Sequence, residues 1–144
     1  MKYLVINGPN MNLLGTREPD LYGHESLDTL MSTLTTWARG VQVEIQWIQS
    51  NHEGELIDAI QQAASAYDGI IINPAGYGHT SVALRDALLA SSLPSVEVHL
   101  TNLAKREDFR SRTLTAGAAL GQISGFGPTV YSLAVIALNE HLEN

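Results

Sequence analysis

The sequence predicts an α/β protein: a parallel β-sheet with helices packed on both faces. Two observations carry that expectation. Short aliphatic runs alternate along the chain with segments of helical period. One of the runs, Gly69-Ile70-Ile71-Ile72-Asn73, is apolar almost without interruption, the pattern of a strand covered on both sides. The 144 residues contain no linker, low-complexity segment or internal repeat, so residues 1–144 are expected to form one domain. A chain of this size buries roughly two-thirds of its surface, enough for a core without disulfide staples.

Tyr3 to Asn7 is apolar and ends at Gly8-Pro9, which reads as a first strand and a breaker. Leu27, Leu30, Met31, Leu34, Trp37 and Ala38 repeat with helical spacing, with Ser26 as N-cap and Gly40 as the stop. From Val41 to Ile48 apolar and polar residues alternate, as in a strand covered mainly on one face and placed near an edge. Leu56 through Tyr67 is expected to be the second helix, and Gly69–Asn73 the third strand. Thr80 or Ser81 caps a third helix running to about Ala90. Ser95 to His99 is the fourth strand, followed by a short helix over Ala104–Phe109. Ala118 to Ser124 is the fifth strand, and Val130 through His141 closes the chain as a helix. Five strands alternating with five helices give a doubly wound, three-layer sandwich of the flavodoxin-like kind.

Composition removes several classes of function. Eight Lys and Arg against fifteen Asp and Glu leave a net charge of −7, which disfavours nucleic-acid and anionic membrane partners. With no cysteine there is neither a thiolate nucleophile nor a Cys-ligated zinc, and the five histidines show no metal-ligand spacing. No metal and no cofactor is expected. The apolar run at the amino terminus is too short for a signal peptide, and no run reaches the roughly 20 residues of a membrane helix, so the cytoplasm is expected. A P-loop is absent. Gly125-Phe126-Gly127 lacks the third glycine of a dinucleotide fingerprint and leaves no room for a following βαβ unit. The position after strand one carries asparagine rather than the acidic cluster of a phospho-receiver domain. Charged residues make up only 16% of the chain against roughly 25% in typical domains, which leaves surface for subunit contacts.

Ligands of such folds bind beyond the carboxyl ends of the strands. Strand one ends in Asn7-Gly8-Pro9-Asn10, strand three in Asn73-Pro74-Ala75-Gly76, and strand four in His99-Leu100-Thr101-Asn102, so three strands bring polar groups to one rim. The connection from Gly8 to Glu25 is long, with glycines at 15 and 23 as hinges, which suits a lid. It holds Arg17 and Tyr22, which suit either packing and solvation or a tyrosinate base favoured by its cation. Glu97 and His99 share a face of their strand, so the carboxylate is placed to orient the imidazole. His79 reads as a loop or cap residue, and Asp86 pairs most simply with Arg85 or Arg110 as a surface charge. Leu100 and Thr101 open a helix whose N–H groups would suit a carboxylate. Arg106 and Arg110 lie four apart on one face of it, either solvated or binding hydroxyls. A catalytic site for a small molecule, a non-catalytic module for a polyol or flavin phosphate, and an interaction domain all fit these residues taken singly.

Taken together the motifs resemble one family, the type II 3-dehydroquinate dehydratases. The resemblance rests on Asn7-Gly8-Pro9-Asn10-x-Asn12-Leu13-Leu14-Gly15-x-Arg17-Glu18-Pro19-x-x-Tyr22-Gly23 and on Gln49-Ser50-Asn51-x-Glu53-Gly54-Glu55-Leu56-Ile57-Asp58. It continues from Asn73 through His79-Thr80-Ser81 to Ala87, then in Val96-Glu97-Val98-His99-Leu100-x-Asn102 and in Arg106-Glu107-x-Phe109-Arg110. The blocks follow the family's order and cover nearly the whole chain. Departures are Ala75-Gly76 and Gly78 before His79, threonines at 101 and 113 in place of serines, and Val130 where glycine is common.

The resemblance implies a flavodoxin-like fold and reversible dehydration of 3-dehydroquinate to 3-dehydroshikimate through an enolate. It implies Tyr22 as proton acceptor, His99 as proton donor, Arg17 as the cation beside the tyrosine, Asn10 as holder of a water at the enolate oxygen, and Glu97 as orienter of His99. Asn73, His79, Asp86, Leu100, Thr101 and Arg110 are implied to bind substrate, Asp86 reaching in from a neighbouring subunit of a trimer that assembles into a dodecamer. Because the reaction is reversible, aromatic biosynthesis and quinate breakdown fit it equally.

Overall fold

The computed structural model describes residues 1–144. Five strands, β1 (Lys2–Asn7), β2 (Glu44–Gln49), β3 (Gly69–Asn73), β4 (Ser95–His99) and β5 (Gly121–Ser124), form one sheet in the order β2-β1-β3-β4-β5. Every neighbouring pair is parallel. That is the doubly wound order with its switch point between β1 and β3, where such folds leave a crevice.

Parallel strands need crossovers, and helices supply them on both faces. A single turn, α1 (Pro19–Tyr22), lies in the first long connection; α2 (Leu27–Gly40), α3 (Glu53–Ala63), α4 (Val82–Ser91) and α5 (Thr129–Glu143) are the long helices. Side chains of a strand alternate between faces. Tyr3, Val5, Ile71, Val96 and Val98 therefore pack against Met31 and Leu34 of α2 and Ala134, Val135 and Leu138 of α5. Leu4, Ile6, Ile70 and Ile72 point the other way, onto Leu56 and Ile60 of α3 and Leu84 and Leu88 of α4. The result is the three-layer sandwich expected from sequence. No helix is long and apolar enough to cross a membrane.

Strands β3 and β4 have the expected bounds, and β2 lies at an edge with its burial alternating at first and then intermediate, as its sequence pattern indicates. Ser26 and Ser81 are the caps: their hydroxyls accept from the backbone N–H groups of Thr29 at 3.2 Å and Leu84 at 2.9 Å. The helix expected over Leu56–Tyr67 begins and ends earlier, because Tyr67 and Asp68 must turn the chain into β3, with Asp68 N–H donating to Lys2 O at 2.8 Å.

The segment after β4 corrects the sequence reading in three places. Residues Ala104–Phe109 are not a helix but two single 3₁₀ turns, Leu103–Lys105 and Asp108–Arg110, separated by Arg106 in an extended conformation. Leu100 and Thr101 therefore open no helix, and Arg106 and Arg110 share no helix face. The fifth strand starts at Gly121 rather than Ala118, because Ala116–Ala118 is a 3₁₀ turn and the register with β4 begins at Val96 opposite Gly121.

Gly8 sits where β1 and β3 leave the sheet together. Its N–H donates to Asn73 O at 2.8 Å. A Cβ there would stand 2.5 Å from Pro74 O, inside any real contact. Gly54, in α3, has open space around its Cβ position. Gly8→Ala should therefore cost about 1–3 kcal/mol of stability by forcing the two rim turns apart. Gly54→Ala should be neutral or stabilise by up to about 1 kcal/mol. Urea unfolding of both variants checks the opposite signs.

Candidate active site

The carboxyl ends of β3 and β4, the turns that follow them and the Gly8–Glu25 connection leaving β1 enclose one cavity. Three arginines, Arg17, Arg106 and Arg110, and two histidines, His79 and His99, face it, and no Asp or Glu does. In a protein of net charge −7 this is a local concentration of positive groups, suited to an anionic small molecule.

Tyr22 enters from α1 with two guanidinium groups against its ring. The Cζ atoms of Arg17 and Arg106 stand 5.5 and 5.4 Å from its ring centroid. Arg106 also approaches Thr101, its Nη1 standing 3.4 Å from the threonine Oγ1. Its backbone is extended, with the N–H still donating to Leu103 O at 3.1 Å, and its Nε stands 3.8 Å from Glu107.

His99 ends β4, 5% exposed, and its Nε2 is 2.9 Å from Glu97 Oε2. A carboxylate accepts, so Nε2 carries a proton and Nδ1 is the nitrogen left without a partner in the chain. Glu97 has no solvent exposure. Burial opposes its ionisation, but hydrogen bonds from His99, Thr115 and Gln122 outweigh that and hold its carboxyl below the usual range. The ring of His79 stacks on that of His99, centroids 6.1 Å apart and planes 26° from parallel. His79 Nδ1 lies 2.9 Å from Arg112 O, and a carbonyl only accepts, so Nε2 is its unprotonated nitrogen in the neutral ring.

Two asparagines are set by partners behind them. Asn73 donates through Nδ2 to the Tyr131 hydroxyl at 3.3 Å, and that hydroxyl donates to Asn7 Oδ1 at 2.6 Å. Tyr131 is buried beneath the rim, and burial pushes its phenol far up, so it stays protonated and makes both bonds. Asn10 has a left-handed φ of 68°, with its N–H donating to Asn51 Oδ1 at 2.9 Å. Ala75, in the turn leading to His79, is also left-handed at φ 51°.

The cavity thus brings together Asn10, Arg17, Tyr22, Asn73 and His79 with His99, Leu100, Thr101 and Arg110, while Glu97 stands behind His99. Asp86 is elsewhere. It is on the solvent face of α4 and forms no ion pair, since Arg85 donates to Leu114 O at 2.8 Å and Arg110 to Glu107 at 3.1 Å. Sequence reasoning left Arg106 undecided because its place depends on a break in the supposed helix. It missed Asn51, Thr115, Gln122 and Tyr131, whose roles arise only from pairings distant in the chain.

The sequence pattern of the family described as Dehydroquinase class II matches residues 1–139. The chain is 55% identical over 143 residues to the 3-dehydroquinate dehydratase of Carboxydothermus hydrogenoformans, covering 99% of this chain and 93% of that one. It is 50% identical over 143 residues to the enzyme of the same name from Geotalea daltonii, covering 99% of each. Its fold superposes on the crystal structure of a type II dehydroquinase from Butyrivibrio crossotus with a TM-score of 0.95 at 45% identity, covering 96% of this chain and 97% of that one. The type II dehydroquinase of Propionibacterium acnes gives 0.91 at 35% identity, covering 99% and 97%. With a match that runs from end to end of the fold and through every wall of the cavity, the chain belongs to the class II dehydroquinase family of hydro-lyases.

Proposed function

We propose that this protein removes water reversibly from 3-dehydroquinate to give 3-dehydroshikimate, through an enolate. The observation that carries the reading is the pairing, in one cavity, of a tyrosine flanked by two arginines with a histidine backed by a buried glutamate. A β-hydroxy ketone loses water when a base takes the proton α to its carbonyl and an acid protonates the departing hydroxide. Tyr22, as phenolate in the field of Arg17 and Arg106, is the base. His99 is the acid, its imidazolium supported by the ionised Glu97. The enolate oxygen needs donors while it is charged, and Asn10 holds a water there. Asn73 and His79 bind ring hydroxyls. Thr101, the backbone at Leu100 and Arg110 bind the carboxylate.

Asp86 enters this reading through assembly. Val82 and Leu89 are 59% and 54% exposed and lie at helical spacing from Asp86 on α4, so the carboxylate sits on an uncovered apolar stripe. That stripe supports a subunit contact at α4; that the contact makes a trimer in which Asp86 reaches a neighbour's cavity, and that trimers assemble into a dodecamer, is part of the reading that the family resemblance implies. Asp86→Ala should then lower activity and weaken assembly together. Sedimentation of the variant and of dilute wild-type protein checks this, a fully active monomer being the contrary result.

The absorbance of the enone product, followed with purified protein and 3-dehydroquinate, tests the reaction itself. Tyr22→Phe should lower kcat by about 100-fold or more at nearly unchanged KM, since acid–base groups contribute about 10²–10⁴. A variant within threefold of wild type would remove Tyr22 from the base role.

The alternative chemistry for such a dehydration is an imine between a lysine and the ketone. The chain has only Lys2 and Lys105. Lys2 starts β1 at the far end of the sheet, its Nζ 3.8 Å from Glu44 and 5.1 Å from the Tyr67 ring centroid. Lys105 does not line the cavity. Borohydride added with substrate should therefore leave activity intact and add no mass to the protein.

A further inference from the structure

The carboxylate behind His99 has a second partner from the edge of the sheet. Glu97 on β4 and Gln122 on β5 are register partners, so their side chains leave neighbouring strands on the same face. Gln122 Nε2 donates to Glu97 Oε2 at 2.8 Å and to Thr113 Oγ1 at 3.2 Å. Its two amide hydrogens are thereby both used, and the Glu97 carboxylate, which only accepts, fixes which way the amide faces. Glu97 Oε2 is the same oxygen that receives His99 Nε2 at 2.9 Å, while Oε1 is taken by the Thr115 hydroxyl. Gln122 itself is solvent-exposed on an edge strand, where nothing in core packing requires its side chain to turn inward.

We propose that Gln122 is a positioning residue of the acid arm: its amide fixes the Glu97 carboxylate and shares Oε2 with His99, so that only part of that oxygen's charge bears on the imidazole. An ionised carboxylate has about four acceptor sites. Three are occupied here by donors of three different kinds, which leaves the carboxylate no freedom to rotate away from His99 or to grip it with both oxygens. The division of charge matters because a general acid must release its proton. A carboxylate with His99 as its sole partner at Oε2 would hold the imidazolium proton more tightly and make a weaker acid. The other groups around the two rings are the same in any variant at 122. His79 stacks on His99, and Arg17, Arg106, Arg110 and Tyr22 face the cavity from the other elements.

The inference rests on the reading of His99 as proton donor, and the test separates the two. Gln122→Met keeps the length of the side chain and removes both donors. Gln122→Lys keeps a donor and adds a charge that draws more of the carboxylate away from His99. The kcat and KM of both variants are measured against pH, and the His99 ring is followed by NMR titration in the substrate-free proteins. With methionine, kcat should fall severalfold at unchanged KM, and both the alkaline limb of kcat and the ring titration should move to higher pH. With lysine both should move to lower pH. A lysine cation lowers the ring titration by its field alone, so the methionine variant carries the test: a purely structural role leaves its ring titration where it is in wild type. If the ring titration of the methionine variant coincides with that of wild type, the inference is overturned, whatever happens to stability. If the rings shift in opposite directions while the pH–rate profiles do not, Gln122 acts on His99 as stated and the assignment of His99 as the acid is what fails.

Discussion

A carboxylate with no solvent exposure, placed on an inner strand of a five-stranded sheet, constrains much of what surrounds it. Glu97 lies on β4 between β3 and β5, opposite Ile72 on one side and Gln122 on the other. Removing an ion of that size from water costs several kcal/mol unless good hydrogen bonds replace the hydration. Three side chains supply them, and each has a structural consequence. Thr115 is held inside by its bond to Oε1, which puts a 3₁₀ turn over Ala116–Ala118 and delays the start of β5 until Gly121. Gln122 turns inward from the sheet edge. His99 points its Nε2 back along its own strand, which leaves Nδ1 for the cavity.

The same constraint explains where the sequence was legible. Strands β3 and β4 could be bounded to the residue because an apolar run buried on both faces, or one broken by a single Glu-x-His step, has few other readings. Helices α2 and α4 were marked by serine caps that act locally. From Leu100 to Leu120 the reading failed, because the chain there follows partners far away in sequence. Thr115 is bound to Glu97, His79 to the carbonyl of Arg112, and Leu114 N–H to Gly78 O at 2.7 Å. Periodicity carries no trace of such bonds. The candidate site was legible at the strand ends, where topology alone brings Asn10, Asn73 and His99 together. It was illegible at Arg106, whose position over Tyr22 depends on a helix that does not form.

Charge is distributed with a similar economy. The chain carries fifteen acidic residues, yet the cavity wall holds only cationic or neutral ones. All three of its arginines pair with glutamates that do not line it: Arg17 Nε is 3.6 Å from Glu18, Arg106 Nε is 3.8 Å from Glu107, and Arg110 Nε donates to Glu107 at 3.1 Å. Those exposed pairs contribute little to stability. They do balance part of each guanidinium's charge from outside while leaving the cavity wall itself free of carboxylates.

The two stacked histidines complete the division of labour in the proposed reaction, and their chemistry follows from what each is tied to. His79 is fixed by a carbonyl, which accepts only, so its neutral ring carries the proton on Nδ1 and offers a lone pair to the cavity. His99 is fixed by an ionised carboxylate, which also demands a proton on the bonded nitrogen but supports a second proton on the other. One ring is thus suited to accept a hydrogen bond from a substrate hydroxyl, and the other to give a proton away. In the proposed reaction two identical side chains 6.1 Å apart take opposite roles from partners outside the cavity. The identity of those partners, a main-chain oxygen for one and a buried Glu97 with its own three donors for the other, is what would separate a binding group from an acid.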